Sequence, residues 1–106
     1  MSMGNFNPDV LRQAQSVQKN LMRLREELKE RIVEADSGGG LVKAFTNGNG
    51  ELVKLTISPD AIDAEDLGLL EDLVVAAVLK SQETANELQQ SEMNKVTGSL
   101  SLPGLF

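Results

Sequence analysis

Apolar residues in the first third of the chain fall at Val10, Ala14, Val17, Leu21, Leu24 and Leu28, in steps of 4, 3, 4, 3 and 4. That spacing is a heptad seam and predicts a helix from Pro8 to about Arg31. Asn7 is placed to cap it, Pro8 suits its first turn, and Asp9 sits at the positive end of its dipole. A helix of about 24 residues is roughly 36 Å long. It is too long to lie wholly against a small domain, so part of it is expected to project or to pair with a second copy.

The periodicity then changes from helical to alternating. Ile32 to Asp36 reads as a short strand, followed by a turn at Ser37-Gly38-Gly39-Gly40. Leu41 to Thr46 and Leu52 to Ile57 are rich in β-branched and aromatic residues. Asn47-Gly48-Asn49-Gly50 joins them with a strong hairpin signal. A two-residue turn at Gly48-Asn49 would pair Val42 with Leu55 and Ala44 with Val53 on one face. It would pair Phe45 with Leu52 and Lys43 with Lys54 on the other. Both faces carry apolar residues, so both are expected to be covered.

Ser58-Pro59-Asp60 caps a short turn, and Asp63-Ala64-Glu65-Asp66 caps a second long helix that reaches about Val96 before Gly98. Its seam is Leu70, Val74, Ala77, Ser81, Thr84 and Leu88. Leu69, Val75 and Leu79 lie off that seam. A helix that is apolar all round is buried all round, which places this one between its own sheet and another subunit. Helix, three local antiparallel strands and helix define an α+β domain over residues 8–97. Residues 1–7 read as a flexible tail, and residues 98–106 as a second tail.

Composition narrows the chemistry. The 106 residues fit one domain. With no Cys and no His, zinc sites built on those ligands, thiol nucleophiles, Ser-His-Asp triads and disulfides are all excluded. Aromatic residues are 3% of the chain, Phe6, Phe45 and Phe106. A core of Leu, Val, Ile and Ala at this length is thin and invites help from a partner subunit. The sequence has no apolar run of membrane-spanning length, and Met1 to Val10 has neither the basic nor the apolar region of a signal peptide. The expected location is the cytoplasm.

The net charge is −6, unevenly spread. Six bases and four acids fall in residues 1–31, and four bases and twelve acids in the remainder. An overall acidic field does not draw nucleic acid, so any contact with it must be local. Arg12, Lys19 and Arg23 all point opposite the apolar seam of the first helix. Lys19 and Arg23 repel each other at i, i+4, which hints at an anionic partner such as phosphate. Glu26 and Glu30 interrupt the same face, and a solvated helix surface is the bland alternative. Lys43 and Lys54 are a second basic candidate.

The other motifs read structurally. Gly38-Gly39-Gly40 leads into a strand and matches no phosphate-binding loop. The acids from Asp60 to Asp72 suit helix caps and match no calcium loop. No catalytic residue, metal ligand, cofactor or small-molecule substrate is expected. Three dispersed Phe residues offer no base-stacking platform, so nucleic-acid contact would be to a duplex backbone.

From Arg12 to Phe106 the chain resembles the YbaB/EbfC family of bacterial nucleoid-associated proteins. The resemblance runs through Arg12-Gln13-Ala14-Gln15, Ser37-Gly38-Gly39-Gly40-Leu41-Val42-Lys43, Asn47-Gly48 and Ile57-Ser58-Pro59. It continues through Leu70-Glu71-Asp72-Leu73-Val74-Val75-Ala76-Ala77 and Leu102-Pro103-Gly104. It implies a homodimer with projecting helices that embrace double-stranded DNA, without enzymatic activity, in the nucleoid, with a role in nucleoid organisation and gene expression. On that reading Arg12, Lys19 and Arg23 contact phosphates, with Lys43 and Lys54 in support. Phe45, Leu52, Leu69, Val75 and Leu79 lie in the dimer interface. The competing expectation is a protein–protein adaptor that uses its helix seams and never touches DNA.

Overall fold

The structure, a computed structural model, describes residues 7–98. Helix α1 (Pro8–Lys29) leads into strands β1 (Ile32–Ser37), β2 (Val42–Asn47) and β3 (Leu52–Ile57). A single 3-10 turn (Pro59–Ala61) then precedes helix α2 (Leu67–Gly98). The fold is the expected α+β arrangement. Most of the two presumed tails falls outside the described residues. Of them, Asn7 is the α1 cap and Gly98 is the last residue of α2, two beyond the expected end.

The caps follow local chemistry. The Asn7 side chain accepts from the Asp9 amide at 2.9 Å, and the Asp66 carboxylate accepts from the Leu69 amide at 3.2 Å. Helix α1 ends two residues earlier than expected. The Glu30 amide turns back to the Glu27 carbonyl and the Arg31 amide to the Leu28 carbonyl, closing the last turn.

The three strands form one antiparallel sheet in the order β1-β2-β3. The hairpin register differs from the expected one. Gly50 takes a positive φ of 89°, and the Asn47 amide bonds the Glu51 carbonyl, so the loop has three residues rather than two. A bulge between Phe45 and Thr46 then leaves Val53 without a partner. Each event slips the register by one residue, and two slips restore the side-chain faces. Val42 therefore pairs with Ile57 and Ala44 with Leu55. Lys43 faces Thr56, Phe45 faces Lys54 and Leu52 faces Thr46. The expected Lys43–Lys54 and Phe45–Leu52 pairs do not form.

Helix α2 lies across β1 and β2 and leaves β3 largely bare. The core is Val42, Ala44 and Ala77, wrapped by Leu55, Leu70, Leu73, Val74 and Val78. Two alanines at the contact let the helix approach the sheet closely. Further along, the Thr46 and Ser81 hydroxyls meet at 2.6 Å in a fully buried contact. The α2 seam passes through Ala85, which is buried, and not through Thr84. Thr84 is exposed and bonds back to the Lys80 carbonyl.

Beyond the sheet, the last turns of α2 run back along α1, with Leu24 and Leu28 buried between them. The molecule measures 72 × 25 × 21 Å, so the helices project well past the sheet.

Candidate nucleic-acid interface

The basic stripe begins with the way α1 is held. Leu24 and Leu28 are buried, and Val17 and Leu21 are half-buried on the same side. This fixes the rotation of the helix and turns Arg12, Lys19 and Arg23 outward, where all three are exposed. At 1.5 Å per residue, Arg12 and Arg23 stand about 16 Å apart along the axis. Arg12 makes one loose ion pair, 4.0 Å to Asp9, with both side chains almost wholly in water. Lys19 and Arg23 have no ion pair within the described residues. A surface pair as loose as Arg12–Asp9 is worth little and yields readily to another anion.

Asn49 strengthens the junction at the base of α1. Its side-chain amide donates to the Arg25 carbonyl at 3.0 Å, and the Gly48 amide donates to the Leu28 carbonyl at 2.8 Å. The hairpin tip therefore grips the last turn of the helix that carries the stripe.

Lys43 and Lys54 are not part of that stripe. They lie on the sheet face turned away from α2, diagonal to each other rather than opposite. Lys43 pairs with Glu34 at 3.8 Å, and the Lys54 ammonium stands 5.6 Å above the Phe45 ring. Each already has a local partner, whereas Lys19 and Arg23 form no ion pair among the described residues.

One basic residue escaped the sequence reading. Lys95 on α2 lines, with Arg23 and Asn20 of α1, an open groove of about 370 Å³. Leu24 and Val96 also line it, and Glu27 and Glu92 bring acid into it. Lys95 donates to Glu92 at 3.1 Å. Only the antiparallel return of α2 along α1 brings Lys95 near Arg23, and no spacing rule within either helix foreshadows it.

The residues assigned to an interface between copies divide in two. Leu69, Val75 and Leu79 on α2 are 52%, 56% and 60% exposed. Leu52, Val53 and Ile57 on β3 are exposed as well. Phe45 is half-buried on the opposite face of the sheet. Among the described residues, no cluster of three or more acidic side chains is arranged to hold a metal ion. No helix among them is long and apolar enough to cross a membrane.

Comparison with known proteins places this geometry. The YbaB/EbfC DNA-binding family matches residues 3–100. The chain belongs to that family. A nucleoid-associated protein of Thermoanaerobacter pseudethanolicus is 48% identical over 104 residues, covering 97% of this chain and 94% of the relative. A nucleoid-associated protein of Desulforamulus reducens is 40% identical over 106 residues, covering both chains completely. The crystal structure of an uncharacterized protein from Helicobacter pylori is also similar, with a TM-score of 0.64 at 28% identity. It covers 74% of this chain and 92% of that one. The YbaB/EbfC fold thus accounts for two long helices about a three-stranded sheet. It is the fold of a DNA-binding family and not of an enzyme family.

Proposed function

We propose that this YbaB/EbfC protein is a DNA-binding nucleoid-associated protein. On this reading it acts as a homodimer, contacts duplex phosphates through Arg12, Lys19 and Arg23, and helps organise the nucleoid and set gene expression. One observation carries the reading: three bases share the outward face of a projecting helix, and two of them have no ion-pair partner among the described residues. Duplex DNA presents about one charge per 1.7 Å of axis, so a stripe about 16 Å long can meet several phosphates. Lys43 and Lys54 play a lesser part, because Glu34 and Phe45 already engage them.

The dimer reading is supported by the distribution of exposed apolar residues. Leu52, Val53, Ile57, Ile62, Leu67, Leu69, Val75 and Leu79 all lie on β3, the connection after it, or the first half of α2. Apolar surface concentrated in this way is costly in water and marks an interaction site. A thin core of Val42, Ala44 and Ala77 leaves a single copy short of buried area.

The test is anisotropy of a labelled duplex of about 30 base pairs at several salt concentrations. The variant Arg12→Gln/Lys19→Gln/Arg23→Gln is compared with Arg25→Gln/Lys29→Gln/Arg31→Gln, which changes the net charge equally. Binding lost in the first and largely kept in the second supports the stripe. Equal loss in both assigns binding to the general field of α1. Absence of binding by the unaltered protein at low salt favours the adaptor reading, to which the net charge of −6 already lends weight.

A further inference from the structure

The chain contains two Asn-Gly steps, Asn47-Gly48 and Asn49-Gly50, and both fall in the hairpin that grips α1. Asn followed by Gly is prone to spontaneous deamidation, because glycine lets the next backbone nitrogen swing onto the side-chain carbonyl carbon. The two steps share that local chemistry, and the fold sets them apart.

Asn47 ends β2 and is 3% exposed. Its Oδ1 accepts from the Asn49 amide at 3.0 Å and the Glu51 amide at 3.1 Å, and its Nδ2 donates to Glu51 Oε1 at 3.0 Å. The nitrogen that would attack it, the Gly48 amide, donates to the Leu28 carbonyl at 2.8 Å. A β-carbon on Gly48 would stand 2.7 Å from the Leu28 carbonyl oxygen, so that peptide has no room to move. Asn49 is half-buried, and among the described residues its side chain donates one bond, from Nδ2 to the Arg25 carbonyl at 3.0 Å. The Gly50 amide is held only within the turn, by the Asn47 carbonyl at 2.9 Å. A β-carbon on Gly50 would meet nothing within 4 Å. Ring closure at Asn49-Gly50 therefore breaks two hydrogen bonds in open space. At Asn47-Gly48 it breaks four and parts the hairpin from the helix.

We propose that Asn49 is a site of spontaneous deamidation, that the fold shields Asn47, and that conversion of Asn49 loosens the hold of the hairpin on α1. The Gly50 amide nitrogen forms a bond to Asn49 Cγ, the Cγ–Nδ2 bond breaks, and ammonia leaves with the amide proton. Water then opens the cyclic imide at one carbonyl to give aspartate or at the other to give isoaspartate. Nothing is oxidised or reduced. Aspartate replaces the Asn49 donor by a carboxylate facing the Arg25 carbonyl, at the helix end where the dipole is negative. A hydrogen bond becomes a repulsion. Isoaspartate loses the same donor and adds a carbon to the backbone of the loop. The inference stands apart from the DNA reading, because it concerns the free protein and is tested without nucleic acid.

Two measurements test it. In the first, the full chain is held at mildly alkaline pH, folded and in denaturant, and peptide mass mapping follows the replacement of NH2 by OH at each Asn. In the folded protein Asn49 should convert about tenfold faster than Asn47 or more, since each additional bond to be broken is worth a factor of roughly two to ten. In denaturant the two should convert at similar rates. No conversion at Asn49 in the folded protein, equal rates at the two sites there, or the same ratio in denaturant would each overturn the proposal. The second measurement is amide hydrogen exchange of Asn49→Asp. The Gly48 amide, which bonds the Leu28 carbonyl, should exchange about tenfold faster than in the unaltered chain, while the Ala77 amide in the core stays unchanged. Unchanged exchange at Gly48 would show that the hold on α1 does not depend on Asn49. Equal acceleration at Ala77 would mark a general loss of stability, and either result overturns the proposal.

Discussion

The Gly48 amide donates to the Leu28 carbonyl at 2.8 Å, and a β-carbon on Gly48 would stand 2.7 Å from that same oxygen. The hairpin tip thus sits directly against the last turn of α1, closer than any side chain allows. This contact sets the direction in which the projecting helix leaves the sheet. It also gives a physical reason for Gly in a position whose backbone angles do not demand one.

Gly48→Ala should therefore destabilise the protein. The new methyl meets Leu28 O, Leu28 Cδ2 and Leu28 Cβ, all within 3 Å, and a backbone oxygen cannot step aside cheaply. Overpacking of this kind costs about 1–3 kcal/mol. A thermal melt should show the midpoint falling by roughly 4–8 °C per kcal/mol. An unchanged midpoint would mean that α1 and the hairpin shift apart without cost.

The buried pair of Thr46 and Ser81 should show strong coupling. Ser81 also donates toward the Val78 carbonyl at 2.9 Å, so its removal leaves the Thr46 hydroxyl without its partner in a dry contact. Ser81→Ala should cost about 1–3 kcal/mol. Ser81→Ala combined with Thr46→Val should cost less than the two single changes added together, since no orphan hydroxyl remains. Denaturant titration of the four proteins measures the difference. Simple additivity would show that the hydroxyls do not depend on each other.

Leu79→Glu separates the interface from the core. Leu79 is exposed in the single chain, so a charge there should leave the monomer folded. It should break the proposed contact between copies, because an unpaired charge in a dry interface is expensive. Light scattering should then report a mass near 11.4 kDa with dichroism unchanged. A dimer that persists would move the interface away from α2.

Lys19 should reveal itself through salt. Each phosphate contact contributes about 0.9 to the slope of log K against log salt. Lys19→Gln should lower that slope by about one contact and weaken all duplex sequences alike. Lys43→Gln should change it less, since Glu34 already holds that ammonium. A slope that ignores Lys19 would remove it from the interface.

Much of the fold was legible from local rules. The heptad seam of α1, the Asn7 and Asp66 caps and the span of β3 are decided by near neighbours, through dihedral preference, caps and apolar period. The outward face of Arg12, Lys19 and Arg23 follows from that seam, because rotation about a helix axis is set once one stripe is buried. The family resemblance was legible too, since it rests on the order of motifs along the chain.

Tertiary structure decided what depends on partners distant in sequence. A third loop residue and a bulge moved the β2–β3 register by two places, and each turned on hydrogen bonds that compete within about one kcal/mol. The slip separated Lys43 from Lys54 and gave each a local partner. Ala85 replaced Thr84 in the α2 seam because α2 rotates to fit β1 and β2, not an ideal heptad. The approach of Lys95 to Arg23 and the bare seam from Val10 to Ala14 both arise from where α2 stops along α1. Helical period gives each helix a face, but only packing gives that face a neighbour.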